Sequence, residues 1–342
     1  MDIERNKLLT ELRTVEVGIA SKPTVEQSDC FVFRKGEVMT YNDEVACRTK
    51  CSLDMTGAIN AAKLLGMLTK WPEETITFKR TDGKLQFKGK GKRGYFKTED
   101  KILLPIQDVE TPKKWKVLPS GFFDAVNQVS GCTKRGGTSP HLNCICFTPD
   151  WIEGCDGMQA GRVTMSIPFE KPTLINTNAI KQIVGLDIAD VGFTDNWVHF
   201  QNTERDLVVS CHTNPDDYPS EQLTEIFKSK GKKATLPKGL KELVDRLNVF
   251  VDDTTQWLEV EVDSTFVKVT GKGAHGSQTE RKKIKYKGDP IAFSINPQLL
   301  RDLSDKHDIC RITERTIQVK KGNFQYVTSL FIPRNEKEKE KE

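Results

Sequence analysis

The sequence predicts an α+β fold made of three repeated units, each with two helices packed on antiparallel sheet. Three observations predict it. The first is an internal period. Leu118-Pro119 is followed by Leu236-Pro237, 118 positions later, and Asn60, Asn178 and Asn296 each open an apolar, helix-like run at the same spacing. Stepping back by that period from Pro119 reaches Met1, so the first unit begins at the start of the chain. The second is that every unit repeats one internal order of helix, strands, helix and hairpin. The third is that the strand-like runs alternate apolar and polar residues and close on tight-turn residues, as a half-buried antiparallel sheet requires.

The elements follow in chain order. Apolar residues at i, i+3 and i+4 predict a first helix over 6–19, 120–129 and 238–249, carried by Leu8 and Leu12, by Phe122 and Val126, and by Leu240, Leu243, Val244 and Leu247. Alternation predicts strands over 30–33 and 37–41, and over 257–262 and 265–269. The Asn-led second helix comes next. A hairpin then ends each unit: 74–79 with 84–87 around Asp82-Gly83, 191–193 with 197–200 around Asp195-Asn196, and 309–312 with 316–319 around Glu314-Arg315. Asp-Gly and Asp-Asn supply the positive φ that tight hairpins need. Basic joins lie over 111–116 and 228–233. The expected domains are 1–116, 117–234 and 235–335, with an alternating Glu/Lys tail over 336–342.

Length and charge narrow the function classes. A chain of 342 residues exceeds one ordinary core and suits two or three domains. Hydrophobic residues at 37% can build those cores. No apolar run approaches the ~18 residues of a membrane span, so no membrane partner is expected. Met1-Asp2-Ile3-Glu4-Arg5 lacks the apolar stretch of a secretory signal, and a cytoplasmic protein is expected. A net charge of +4 excludes a uniformly basic, histone-like protein but leaves room for a basic face. The nine cysteines, an odd number with no CxxC pair, read as reduced structural thiols and not as a zinc framework. Cys144 and Cys146 share one face of a strand, and Cys47 and Cys51 flank another β-like stretch.

Local strings then carry a resemblance. Gly18-Ile19-Ala20-Ser21-Lys22-Pro23-Thr24 follows the first helix as a basic-Pro-Thr turn. Leu142-Asn143 leads a strand ending in Phe147, Cys155-Asp156-Gly157-Met158-Gln159-Ala160 forms an Asp-Gly turn, Asp217-Tyr218-Pro219 an aromatic-Pro turn, and Leu330-Phe331-Ile332-Pro333-Arg334 a final apolar-Pro strand. In this order, on a threefold repeat, they resemble the sliding clamps, the β subunits of bacterial DNA polymerase III, over roughly residues 5–333. The sequence departs from that family where Thr-Asp-Gly-His-Arg-Leu becomes Cys155-Asp156-Gly157-Met158-Gln159-Ala160, and in its charged tail. These departures suggest a divergent member, of a phage or plasmid type.

The resemblance implies half of a ring that a second copy completes head to tail. It implies sequence-independent binding of double-stranded DNA, tethering of a DNA polymerase, and opening by a clamp loader. No catalysis, cofactor or metal is implied. Sliding needs contacts to phosphate and not to base edges. The cations placed for that role are Lys22, at a basic position resembling a DNA contact of the family, and Lys7, Arg13, Lys63, Lys70, Lys134, Arg135, Lys181, Lys238, Lys241, Arg246, Arg301 and Lys306 on helices and joins. The groove that takes partner peptides should involve Leu142, Cys155, Gly157, Met158, Gln159, Ala160, Pro219, Leu223, Thr224, Leu330, Ile332 and Pro333.

Two rival classes have weaker support. An enzyme lacks a recognisable site. The histidines at 141, 199, 212, 275 and 307 have no metal spacing, Asp216-Asp217 and Asp252-Asp253 fall near turns, and no GxSxG, HExxH or Walker pattern occurs. Gly89-Lys90-Gly91-Lys92-Arg93-Gly94 is glycine-rich and basic but reads as a strand region, not a phosphate loop. A non-enzymatic structural or scaffold protein could share the repeat, but would need neither basic helices on one face nor a groove.

Overall fold

Strand ends and helix starts are fused in this chain, and asparagine makes the joint. The computed structural model describes residues 1–134, 136, 138–252, 256–306 and 308–332, apart from the side chains of 305 and 306. Strand Gly57–Asn60 runs straight into a helix whose Lys63 N–H donates to the Asn60 carbonyl oxygen of the side chain at 3.1 Å. Strand Thr173–Asn176 does the same through Asn176, which accepts from the Asn178 N–H at 2.8 Å. Strand Ile291–Ile295 is followed by Asn296, which accepts from the Gln298 N–H at 2.9 Å. A short amide side chain satisfies an orphan N–H while its own backbone is still extended. The 118-residue period therefore needs correcting: the second capping residue is Asn176, and Asn178 lies inside the helix. Loop lengths differ between repeats, so the spacing of caps drifts around the sequence period.

Seven helices are described: α1 (Arg5–Thr14), α2 (Ala61–Lys70), α3 (Phe122–Ser130), α4 (Thr177–Gln182), α5 (Ser220–Lys228), α6 (Leu240–Leu247) and α7 (Pro297–Lys306). Six are the expected pairs, and α1 packs on α2, α3 on α4 and α6 on α7. The expected helix 6–19 stops at Thr14 and continues as a 3₁₀ turn, Glu16–Gly18. The seventh, α5, lies between the Asp217–Pro219 turn and the basic join at 228–233, where no element was expected. Leu223, with Ile226 and Phe227 three and four positions on, was its apolar signal. Each basic join runs into a short strand: Trp115–Val117 and Lys232–Thr235. The Gly89–Gly94 stretch is a hairpin between strands Lys84–Gly89 and Lys92–Lys97.

The chain forms two compact units. One comprises Met1–Ser130, Asn143–Asp150 and Ser166–Asp216; the other comprises Gly131–Leu142, Trp151–Met165 and the chain from Asp217 on. In the first unit a small antiparallel sheet joins Asp2–Glu4, Thr75–Thr81, Lys84–Gly89 and Lys92–Lys97. A longer antiparallel run passes through Gly57–Asn60, Cys30–Arg34, Glu37–Tyr41, Val45–Lys50, Leu207–Asn214, Trp197–Asn202, Ile188–Phe193 and Trp115–Val117. Its middle pairing, Val45–Lys50 with Leu207–Asn214, welds the first repeat to the second. Stacked and edge-on phenylalanines fill the space under α3: Phe122 lies 5.6 Å from Phe147, Phe147 5.0 Å from Phe169, and Phe169 5.0 Å from Phe193.

The second unit repeats the plan. One antiparallel run passes through Trp151–Cys155, Gln159–Thr164, Phe324–Ser329, Thr316–Lys321, Ile309–Ile312 and Lys232–Thr235. A four-stranded sheet joins Gly276–Lys283, Phe266–Gly273, Leu258–Val262 and Ile291–Ile295. Leu240, Leu243, Val244, Leu299, Leu300 and Leu303 from α6 and α7 pack into its core with Val260, Val269 and Ile295. All nine cysteines are buried free thiols. Burial pushes Cys47 and Cys310 up to about 12, so they sit there as small apolar groups and not as nucleophiles.

Two predictions follow from the cores. Phe147→Ala removes the centre of the phenylalanine stack and should cost about 3–5 kcal/mol, read as a lowered denaturant midpoint; an unchanged midpoint contradicts the stack's role. Glu153, on the strand Trp151–Cys155, is fully buried and pairs with Arg162. Burial pushes its carboxyl up from 4.5 to about 7, against the lowering pull of Arg162 and Ser220. As pH falls from 7 toward 4.5 the folded chain takes up a proton that the unfolded chain does not, so this contribution to stability grows on acidification and is lost as pH rises through 7. Relative to Glu153→Gln, the unsubstituted chain should lose on the order of 1 kcal/mol between about pH 5 and pH 8. Parallel pH profiles of the two proteins would overturn the assignment.

Candidate functional site

The Asp-Gly turn is built by its own aspartate. The Asp156 carboxylate accepts the Met158 and Gln159 N–H groups, both at 2.8 Å, and the Gln159 side-chain amide at 3.0 Å. Gly157 has φ +92°, a left-handed conformation that disfavours a side chain. Leu142 lies against the bare Gly157 Cα: a Cβ there would meet its Cδ1 at 3.8 Å. Turned this way, the loop presents Met158 outward at 39% exposure while Cys155 and Ala160 point inward at 5% and 1%. The Ser329 N–H donates to the Met158 carbonyl at 2.8 Å, and the Tyr326 hydroxyl donates to Gln159 at 2.8 Å, which ties the turn to the last strand.

Pro219 precedes α5, whose residue Leu223 is 5% exposed. Cys155, Ala160, Leu223 and Val327 form one buried apolar cluster, with Leu142, Tyr218 and Phe227 half-buried over it. Five of the expected groove residues thus meet in one patch: Leu142, Cys155, Ala160 and Leu223, with Gly157 against Leu142. Met158 and Thr224 flank them, on the turn and on α5. Leu330 is placed elsewhere, in the main core of the second unit at 8% exposure. Ile332 is exposed at 44%, and Pro333 lies outside the described residues. Val327, Tyr218 and Phe227 were missed. Tyr218 lay inside the quoted aromatic-Pro turn, whereas Val327 and Phe227 carried no local signal and are joined only by folding. The Cys155 thiol, pushed up to about 11 by burial, accepts the Gly157 N–H and adds no reactivity.

The candidate cations divide by what already holds them. Lys22 and Lys181 come together on one cleft of about 590 Å³ in the first unit, with Asn42, Glu44, Asn178 and Gln182. Glu44 accepts from the Asn176 side chain at 3.0 Å, which draws the Asn42–Glu44 turn to the start of α4. Two ammonium groups and three amides, against the one Glu44 carboxylate, leave the cleft net cationic, which suits a phosphodiester better than an apolar ligand. Lys7 and Arg13 on α1, Lys63 and Lys70 on α2, and Lys134 and Lys238 are exposed. Lys241 is half-buried. Two other cations are already paired. Arg246 makes two bonds to Glu280, at 2.8 and 2.6 Å, and Arg301 bonds Asp245 at 2.8 Å. A phosphate would have to displace those carboxylates. Arg135 lies outside the described residues, as do His307, Asp253 and the tail 336–342, and the Lys306 side chain is not described.

His199 belongs to the fold, not to a site. It is buried, hydrogen-bonded to Ser210 at 2.7 Å and Thr194 at 2.9 Å, and burial lowers it to about 4, so the ring stays neutral.

Comparisons with known proteins rest on structure alone. No family model matches the sequence. No curated protein matches it. Solved structures do. The DNA polymerase III subunit β sliding clamp of Bartonella birtlesii, bound to griselimycin, is similar at TM-score 0.84 and 14% identity, over 97% of this chain and 99% of that one. The β chain from Streptococcus pneumoniae is similar at 0.83 and 14%, over 97% and 99%. The β subunit from Pseudomonas aeruginosa is similar at 0.81 and 14%, over 97% and 100%. Across nearly its whole length, this chain has the fold of the DNA polymerase III β sliding clamps.

Proposed function

We propose that this protein is a DNA sliding clamp: three clamp domains in one chain, two chains in a closed ring around double-stranded DNA, and an apolar groove on each that tethers a DNA polymerase and its clamp loader. It does no chemistry of its own. The observation that carries the reading is the sliding-clamp fold over 97% of the chain at 14% identity. Such a likeness in fold, with so little shared sequence, leaves the function to be argued from the site.

Two features support the ring. Within the chain, one repeat is joined to the next by antiparallel strand pairing, at Val45–Lys50 with Leu207–Asn214 and at Gln159–Thr164 with Phe324–Ser329. Among the described residues, strand Lys92–Lys97 of the first repeat and strand Gly276–Lys283 of the third each end a sheet with one side unpaired. An open edge invites another strand. A second copy, set head to tail, pairs each edge with its counterpart and closes the ring by the same device that joins the repeats. The Lys22–Lys181 cleft and the exposed lysines of α1 and α2 then supply phosphate contacts without base readout.

Retention on DNA tests the ring. Loaded onto nicked circular duplex, the protein should stay bound and should be lost when the circle is cut. Equal retention on circular and linear DNA, with binding that simply falls as salt rises, would mean ordinary electrostatic association and favour a scaffold. Lys22→Glu with Lys181→Glu should weaken DNA binding uniformly across sequences and flatten its salt dependence by roughly two counterions; an unchanged salt slope removes the cleft from the DNA path. We propose griselimycin, to which the Bartonella birtlesii sliding clamp is bound, as the probe for the groove. The unsubstituted chain should bind it, and Met158→Asp should weaken that binding at least about tenfold while leaving the dimer intact, because a carboxylate would be desolvated on an apolar surface. Unchanged affinity of the variant would move the groove elsewhere.

A further inference from the structure

One buried charge in the second unit touches the helix that walls the groove at several points. Arg162 sits on strand Gln159–Thr164 at 6% exposure, directly across from Glu153 at 0% on strand Trp151–Cys155. Its Nε donates to the Glu153 carboxylate at 2.5 Å, and a terminal nitrogen closes the ion pair. The other face of the contact is α5. An Arg162 terminal nitrogen donates to Thr224 Oγ1 at 3.0 Å, and the Ser220 hydroxyl donates to the far oxygen of Glu153 at 3.4 Å. The guanidinium plane is held between the Trp151 ring, 4.5 Å from its centroid, and the Phe227 ring at 4.7 Å. Ser220, Thr224 and Phe227 are i, i+4 and i+7 on α5, a single face of the helix.

That ionic and aromatic clamp is unusual in what it replaces. Leu223 is the one buried residue described in α5, so apolar packing gives the helix little anchorage. Its C-terminal end has a separate tie, the Gln318 side chain donating to the Ile226 carbonyl at 2.8 Å. The first two turns, which carry Leu223 and Thr224, have the Glu153–Arg162 pair. A planar guanidinium can stack on two rings while its edge donates to a carboxylate and a hydroxyl, which an ammonium cannot do.

We propose that Arg162 is the positioning residue of the groove: it seats the first two turns of α5 over the hairpin Trp151–Thr164, and through that seat it sets the groove's affinity without touching the ligand. The inference rests on the groove reading given above. It assigns a role to a buried strand residue two positions past Ala160, on the same face of the strand.

The test compares substitutions at the clamp by two readouts, griselimycin affinity and hydrogen exchange of the α5 amides. Arg162→Met alone strands a buried carboxylate and could simply unfold the unit. The double variant Glu153→Gln with Arg162→Met removes both charges and avoids that. Arg162→Lys keeps the charge but cannot stack and donate together. The double variant should retain the protection of strand Phe266–Gly273, exchange its α5 amides about tenfold faster, and bind griselimycin about tenfold more weakly. Arg162→Lys should fall between the double variant and the unsubstituted chain. Unchanged α5 exchange and unchanged affinity in the double variant would overturn the proposal, as would faster α5 exchange with unchanged affinity. If the unsubstituted chain does not bind griselimycin at all, the groove reading fails by itself. The exchange data then still decide whether Arg162 seats α5.

Discussion

Backbone pairing between repeats is the constraint on which the rest of this structure depends. A repeat of this size, with two helices on one face of its sheets, leaves a strand edge at each end. An unpaired row of N–H and C=O groups must be satisfied by something. Inside the chain the answer is the next repeat: Val45 to Thr49 pair with Cys211 to Leu207, and Gln159 to Val163 pair with Thr328 to Phe324. These ladders are continuous with the sheets on either side. They turn separate cores into extended antiparallel runs.

The apolar patch proposed as the groove is a consequence of one such ladder. Gln159–Thr164 can pair with the last strand only if the Asp156-Gly157 turn reverses the chain tightly, and that turn presents Met158 at the surface. The same hairpin carries Glu153 and Arg162 on its opposite pairing position, under α5. Junction, proposed groove and helix seat therefore share one hairpin, Trp151–Thr164. Burying an ion pair there is energetically neutral at best, so its presence is better explained by the geometry it imposes than by stability. A guanidinium held by a carboxylate, a hydroxyl and two rings has one orientation. Leucines in the same place would pack α5 in several.

The basic residues show the opposite logic. The sequence scatters lysines and arginines over helices and joins, and the fold sorts them. Lys22 and Lys181, far apart in the chain, share a cleft. Arg246 and Arg301 are held by Glu280 and Asp245. Counting cations in the sequence could not separate these groups, since a carboxylate partner can come from another strand or helix, as Glu280 does for Arg246 across 34 positions.

What the sequence determined by itself was whatever rests on local physics. Helical spacing placed six of the helices, and alternation and turn residues placed the three hairpins, although a further strand, Lys92–Lys97, Leu207–Asn214 or Phe324–Ser329, follows each instead of the unit closing there; asparagine marked the start of the second helix in the first and third repeats. Local turn chemistry also made Asp156-Gly157-Met158 legible as a presented loop. Its errors came where a signal was short or register mattered: α5, between the 217–219 turn and the 228–233 join, was not expected because its apolar stripe is brief, and the middle cap was set two residues late because loops vary while capping does not. Only the tertiary structure decided which residues meet. Leu330 went to the core and Val327 to the groove patch, although they are three positions apart on one segment. Arg162 became buried because Glu153, Trp151, Thr224 and Phe227 converge on it from a neighbouring strand and a helix. The reason is physical. Periodicity fixes which face of an element is apolar, but burial of a charge is tolerable only where distant segments supply its partners, and no local pattern encodes that meeting.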